Sequence, residues 1–130
     1  IFDELYDFVK MAEFNHLGAF IFSREKGTAA ARLKNIVGQT VAEMRLDAIM
    51  NLQAGISKKI NQRMVGHIVP VLVEGVDPET DFLLKGRTVA MAPDVDGQVF
   101  ITKGRGMVGE IAPVLIKEAH VYDLSGEIIE

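Results

Sequence analysis

The sequence predicts an α+β chain in which terminal helix–strand–helix elements of a parallel barrel precede a small five-stranded antiparallel β-barrel. Three observations predict it. In the first half, two blocks of apolar residues at helical spacing flank the unbroken apolar run Leu17-Gly18-Ala19-Phe20-Ile21-Phe22. From His67 onward, short β-branched runs alternate with Gly, Pro and Asp-Gly signals. The charge changes near the same boundary, with 9 Lys/Arg against 7 Asp/Glu up to Val65 and 5 against 11 from Gly66. Three units follow: a barrel end over 1–38, a connecting helix over 39–65 and the small barrel over 66–130.

Phe2, Leu5, Phe8, Val9 and Ala12 mark one face of the first helix, and Asp3 and Glu4 at its start suit the helix dipole. Residues 17–22 are continuously apolar and too few for an ordinary helix, as expected of a strand buried on both faces. A helix feeding such a strand is half of a βαβ repeat, whose parallel neighbours would lie upstream of Ile1. The polar loop 23–28 follows, then Ala29-Ala30-Ala31-Arg32-Leu33 and a break at Gly38. Thr40 with Glu43 forms a capping-box pattern. The helix that it opens carries Val41, Met44, Ala48, Leu52, Ile56, Ile60 and Met64 on one stripe, and Gly66 suits its left-handed stop.

Strands are expected over 68–73, 82–91, 98–102, 111–117 and 121–129. Pro70 points to an edge or a bulge, because it has no N–H for a ladder. Asp96-Gly97 is a two-residue hairpin signal, and Gly104 and Gly106 bracket another turn. Five short strands at this spacing make an OB-like barrel the expected form.

Composition narrows the function classes. With 48% hydrophobic and 25% charged residues over 130 positions, the chain is globular rather than disordered. It has no cysteine, so it offers no disulfide, thiolate nucleophile or cluster ligand. No apolar run approaches the roughly 20 residues of a membrane span, and no signal peptide is visible, which fits a cytoplasmic location. The chain opens on Ile1 with an amphipathic pattern already under way, as expected of part of a longer protein. His16, His67 and His120 lack metal-ligand spacing, and Gly104-Arg105-Gly106 lacks the context of a phosphate loop.

Two groups of residues are candidates for binding. Ser23, Arg24 and Thr28 would stand at the C-terminal end of strand 17–22, the face on which such barrels hold their sites; equally, Gly27-Thr28 turns the chain and Arg24 pairs locally. In the second half, Asp94, Asp96, Glu110, Glu118 and Asp123 can form an acidic face, with Phe82, Phe100 and Tyr122 beside it. Such a face is either a solvated surface or a dock for a basic partner, and it repels a phosphate backbone.

Several of these segments resemble the C-terminal part of the RimO-type ribosomal protein methylthiotransferases, a family of radical SAM enzymes, over nearly all 130 residues. Phe2-Asp3-Glu4-Leu5, Phe8-Val9 and Leu17-Gly18-Ala19-Phe20 are similar to the last helix and strand of the radical SAM barrel. Phe22-Ser23 through Gly27-Thr28-Ala29-Ala30 resembles the family's Tyr-Ser…Gly-Thr-Pro-Ala loop, with Phe22 in place of Tyr and Ala30 in place of Pro. Leu72-Val73-Glu74-Gly75 and Gly86-Arg87-Thr88 resemble the TRAM domain. Ala92-Pro93-Asp94-Val95-Asp96-Gly97 and Tyr122-Asp123-Leu124-Ser125-Gly126 resemble the branch that modifies ribosomal protein rather than tRNA.

The resemblance implies a full-length transferase that uses S-adenosylmethionine and two 4Fe-4S clusters. It would methylthiolate the β-carbon of an aspartate in small-subunit ribosomal protein S-twelve. The family's cluster-binding cysteines have no counterpart in these residues, so the fragment is expected to be inactive by itself and to bind no cofactor. Asp94, Asp96, Glu110, Tyr122 and Asp123 become candidates for docking the basic substrate, and Ser23, Arg24 and Thr28 candidates for the barrel mouth. Two other readings remain: a tRNA methylthiotransferase fragment, which calls for a basic TRAM face, and a non-catalytic OB-like binding module. The apolar surface expected over 1–38 would favour self-association.

Overall fold

A computed structural model of the chain describes residues 1–80 and 83–130. Phe82, expected to open a strand and to serve as a contact residue, lies outside the described residues. Helix α1 (Phe2–Ala12) has Asp3 and Glu4 in its first turn and ends where Glu13 turns left-handed. Helix α2 (Gln39–Met64) has 26 residues and is therefore about 39 Å long. Strands β1 (Ile68–Asp77), β2 (Leu83–Arg87), β3 (Val99–Lys103), β4 (Ile111–Ala119) and β5 (Leu124–Ile128) close into a barrel in the order β1-β2-β3-β5-β4.

The expected barrel forms, with one correction to its pairing. β3 and β5 run parallel, so the barrel is not wholly antiparallel. The chain from β3 to β5 makes a crossover through β4, which leaves β5 beside β3 in the same direction. Alternation along the strands puts Val71, Val73, Val99, Ile101, Ala112, Val114, Ile116 and Leu124 inside, with Met91 from a loop sealing the core. Burying each large aliphatic side chain here contributes about 1.5–3 kcal/mol. Closure leaves no edge for Pro70; it sits opposite Pro113, so the two residues that lack an N–H share one rung of the β1–β4 ladder. Gly86 and Gly126 lie where neighbouring strands press closest, and a Cβ on either would strike the carbonyl of Leu72 or Leu115.

The first half departs further from expectation. Residues 17–22 form no strand: the segment has no regular secondary structure and, among the described residues, no ladder partner. A doubly buried strand needs neighbours on both edges, and here Phe20 is fully exposed while Ala19 and Ile21 turn partly inward. Residues 30–32 make only a short 3-10 turn. The expected capping box does not form either. Gly38 occupies the N-cap and Gln39 Nε2 donates to Glu43 Oε1 at 2.8 Å, because the helix starts two residues earlier than a Thr40 cap requires and leaves Thr40 inside it. At the other end Gly66 takes the expected left-handed conformation, and its N–H donates to Ile116 O at 2.8 Å, tying the helix end to β4.

The side of α2 that is fully buried is not the expected apolar stripe. Val41 and Met44 are exposed, and the buried line is Ile49, Gln53, Ser57 and Asn61, one residue per turn. Ile49 begins this line, and it and Val9 of α1 are the buried aliphatic residues of the two helices, which pack against each other. The polar part anchors loops that have no ladder of their own. Gln53 Nε2 donates to Phe14 O at 2.6 Å, and Ser57 Oγ donates to Asn15 O at 2.8 Å. Asn61 Nδ2 donates to His120 O at 3.1 Å and to Val121 O at 3.2 Å. The helix thus joins the 13–16 loop to the β4–β5 turn.

Asn61→Ala should lower stability by about 1 kcal/mol or more, since two partly buried loop hydrogen bonds are lost together. Urea unfolding checks this, with Val41→Ala at an exposed position as the control that should stay near zero; equal midpoints for the two variants would contradict the anchoring role.

Candidate functional site

The loop between β2 and β3 spans residues 88–98 and is closed by its own polar groups. Buried Thr88 starts it: its Oγ accepts from Ala90 N at 3.3 Å and its carbonyl from Met91 N at 3.1 Å. Asp96 Oδ2 accepts from Ala92 N at 2.7 Å, while Asp96 N donates to Ala92 O at 3.3 Å. This small ring projects Pro93, Asp94 and Val95 into solvent, with Asp94 at φ 59°, a conformation that Asp tolerates better than most residues. Asp96-Gly97 is therefore not the expected two-residue hairpin. The reason is steric: Gly97 presses on the β4–β5 turn, where a Cβ would collide with the carbonyl of Tyr122.

The same turn supplies the next two candidates. Asp123 Oδ1 accepts from Gln98 N at 2.9 Å, and Leu124 N donates to Gln98 O at 2.9 Å, stitching the loop to the start of β5. Asp94, Asp96, Tyr122 and Asp123 thus converge from two segments far apart in sequence. Asp96, Tyr122 and Asp123 line a cleft of about 430 Å3 whose other walls are His16, Leu17, Gly18, Met50 and Val95. His16 Nδ1 stands 3.8 Å from Asp96 Oδ1, so the N-terminal segment borders the cleft directly. A second cleft of about 360 Å3 lies across Asp96 and Gly97, lined by Asp94, Gln98, Glu74, Lys85 and Arg87.

Other candidates stand apart from this group. Glu110 lies in the β3–β4 turn, where its Oε2 faces Met107 N at 3.4 Å and its carbonyl accepts from Val73 N. Glu118 and His120 face each other at 3.9 Å on an exposed stretch. Phe100 is half-buried on β3, in register with Lys85. Ser23, Arg24 and Thr28 share one loop and bond to it: Ser23 Oγ to Glu25 Oε1, Arg24 Nη1 to Ala31 O at 3.1 Å, and Thr28 Oγ1 to Glu25 O at 2.8 Å. Among the described residues no group of His, Asp or Glu is placed to hold a metal ion, and no helix is long and apolar enough to cross a membrane.

The sequence reading missed Lys85 and Arg87 as wall residues. Period-two alternation could have found them, because buried Gly86 between them forces both side chains to the outer face of β2. It also missed His16 and Met50, for which no local signal exists.

Residues 65–129 match the family model described as the TRAM domain. Over its whole length the chain is similar to proteins named ribosomal protein uS12 methylthiotransferase RimO. It is 46% identical to the one from Syntrophobacter fumaroxidans over 98% of the chain and 29% of that protein. The figures are 43%, 99% and 28% for Syntrophotalea carbinolica, and 45%, 98% and 29% for Geobacter sulfurreducens. The matched region is the C-terminal part of these relatives, and the chain spans under a third of their length.

Asp96→Ala should open the 92–97 ring by removing the acceptor for Ala92 N–H. The expected results are faster hydrogen exchange at Ala92 and a stability loss of about 1 kcal/mol; unchanged exchange at that amide would contradict the ring.

Proposed function

The chain belongs to the TRAM domain family, and on that premise we propose that it is the substrate-docking part of a RimO-type methylthiotransferase whose substrate is small-subunit ribosomal protein uS12. The observation that carries this reading is the convergence of Asp94, Asp96, Tyr122 and Asp123 on two adjoining clefts that share Asp96 and Gly97. These residues come from the two segments whose resemblance points to the ribosomal-protein branch. Similarity to proteins of that name over the whole chain supports the same substrate.

Charge gives the reading its physical content. Residues 66–130 carry 5 Lys/Arg against 11 Asp/Glu, a net −6. A field of that sign steers a basic protein inward and slows the approach of a nucleic acid. Asp96 and Asp123 each use one carboxylate oxygen to hold a backbone amide, so both are fixed in place before any partner arrives. Fixed acceptors lose less side-chain entropy on binding than free ones. Asp94 and Val95 project beyond them as first contacts, and Glu110 provides a separate acidic point on the β3–β4 turn.

In this reading the full enzyme uses S-adenosylmethionine and two 4Fe-4S clusters to install a methylthio group on the β-carbon of an aspartate. The residues here do not fit the clusters: the sequence has no cysteine, and the described carboxylates and histidines make no metal-binding group. Cluster ligands and the reacting centre would belong to chain outside these residues, so the 130 residues would be inactive alone and cytoplasmic with the rest of the enzyme. Ser23, Arg24 and Thr28 are assigned to the barrel mouth, where their bonds within the loop would fix its shape. The apolar side chains left exposed around Phe8, Phe20 and Phe22 would pack against that outside chain, or self-associate without it.

Binding of the chain to purified uS12 and to tRNA, each at two salt concentrations, tests the proposal. Measurable uS12 binding and weaker tRNA binding are expected at both; tighter tRNA binding with a steep salt dependence would overturn it.

A further inference from the structure

Only five Lys and Arg side chains occur from Gly66 onward, and two of them, Lys85 and Arg87, line one cleft within this acidic half. Their neighbours in that cleft are Glu74, Asp94 and Asp96. Arg87 is partly committed: Nη1 donates to Met91 O at 3.3 Å, and Nε stands 3.3 Å from Glu74 Oε2, buried but without hydrogen-bond geometry. Lys85 has no ion-pair partner among the described residues. Its position on β2, in register with Phe100, holds it half-buried at the wall. An ammonium so placed, with no carboxylate of its own, is a ready partner for an incoming anion.

The two clefts meet at Asp96 and Gly97, which line both. Gly97 has no side chain to raise a barrier there, and its close packing on Tyr122 forbids one. The result is two adjoining clefts, together termed the groove. One end is apolar and acidic, with Leu17, Met50, Val95 and Tyr122 around Asp96 and Asp123; the other is polar and holds both cations. Each part has the volume of an ordinary ligand pocket.

We propose that this groove takes an extended peptide of mixed charge, with a basic side chain beside Asp94 and Asp96 and a carboxylate at Lys85 and Arg87. The basic end rests on the docking reading above; the carboxylate subsite goes beyond it. A phosphate backbone is disfavoured, because three carboxylates face the two cations in the same cleft. A purely basic peptide would leave Lys85 facing like charge. Mixed charge satisfies both ends, so the groove selects a segment by the order of its charges and not by basicity alone.

Titration of the nitrogen-15-labelled chain tests this with four probes: a Gly/Ser peptide carrying one Lys and one Asp a few residues apart, the same peptide with Asp→Asn, a uridine oligonucleotide, and purified uS12. The Lys/Asp peptide should shift the amides of Lys85, Arg87, Asp94, Gly97 and Gln98. Asp→Asn in the peptide should weaken binding roughly fivefold to the wild-type chain but clearly less to the Lys85→Gln variant, in which only Arg87 remains to meet the carboxylate. Lys103→Gln, on the same barrel away from the groove, should keep the wild-type difference. Equal effects of Asp→Asn on both chains, shifts confined to other faces, or tighter binding of the oligonucleotide at these amides would each overturn the carboxylate subsite. The uS12 arm separates the two claims. Binding of uS12 with the groove amides unmoved would sink the groove and keep the substrate; groove binding by the Lys/Asp peptide alone would do the reverse.

Discussion

Gln53, Ser57 and Asn61 form a buried polar line on a helix whose other inward residues are aliphatic, and the placement of both halves of the molecule depends on it. Burying such groups without partners costs a few kcal/mol each, so their presence demands satisfied donors. They find them in the carbonyls of Phe14, Asn15, His120 and Val121, none of which has a ladder to bond to. Two aliphatic surfaces can slide or rotate with little change in energy. Donors aimed at four particular carbonyls cannot. The helix therefore fixes where the 13–16 loop lies relative to the β4–β5 turn, and the gap that remains is the cleft beside His16, Asp96 and Tyr122.

The barrel contributes rigidity at the other wall. Its strands close with no free edge, and its close approaches are set at glycines that admit no Cβ. On this frame the 88–98 loop is strapped at both ends, by Thr88 at its start and by Asp123 to Gln98 at its finish. Asp96 and Asp123 thus have two roles at once. One oxygen of each holds the loop, and the charge of each faces a cleft. Substituting either would change shape and field together, which is why Asp94, exposed and without such a bond among the described residues, is the cleaner position from which to ask about charge alone.

The second half of the fold was legible because period-two patterning and Gly turns are local signals. The strand alternation of Val71 with Val73 and of Ala112 with Val114 and Ile116 predicts the core that forms. The parallel β3–β5 pair was not legible, since it follows from crossover topology and not from any segment. In the first half, hydrophobic periodicity located α2 correctly but placed the centre of its inner face beside the true one: Ala48, Leu52, Ile56, Ile60 and Met64 are half-buried along the edge of the fully buried line. Apolar spacing cannot detect Gln53, Ser57 and Asn61, whose burial is driven by distant carbonyls. Residues 17–22 failed as a strand for a related reason: a strand is a property of a pair, and no pairing partner is present among the described residues. At the site, the acidic loop signatures were visible in sequence, whereas their convergence on two adjoining clefts, one with His16 and Met50 in its wall, required the fold.

The buried polar line holds the N-terminal helix and the barrel in one fixed arrangement. Because the chain has no native cysteine, spin labels at Lys10→Cys on α1 and Glu118→Cys on β4 report that arrangement without interference. A single narrow distance distribution is predicted for the otherwise native chain, broadening when Gln53→Ala and Asn61→Ala are introduced together. A distribution already broad in the native chain, or one that stays narrow after both donors are removed, would contradict the account.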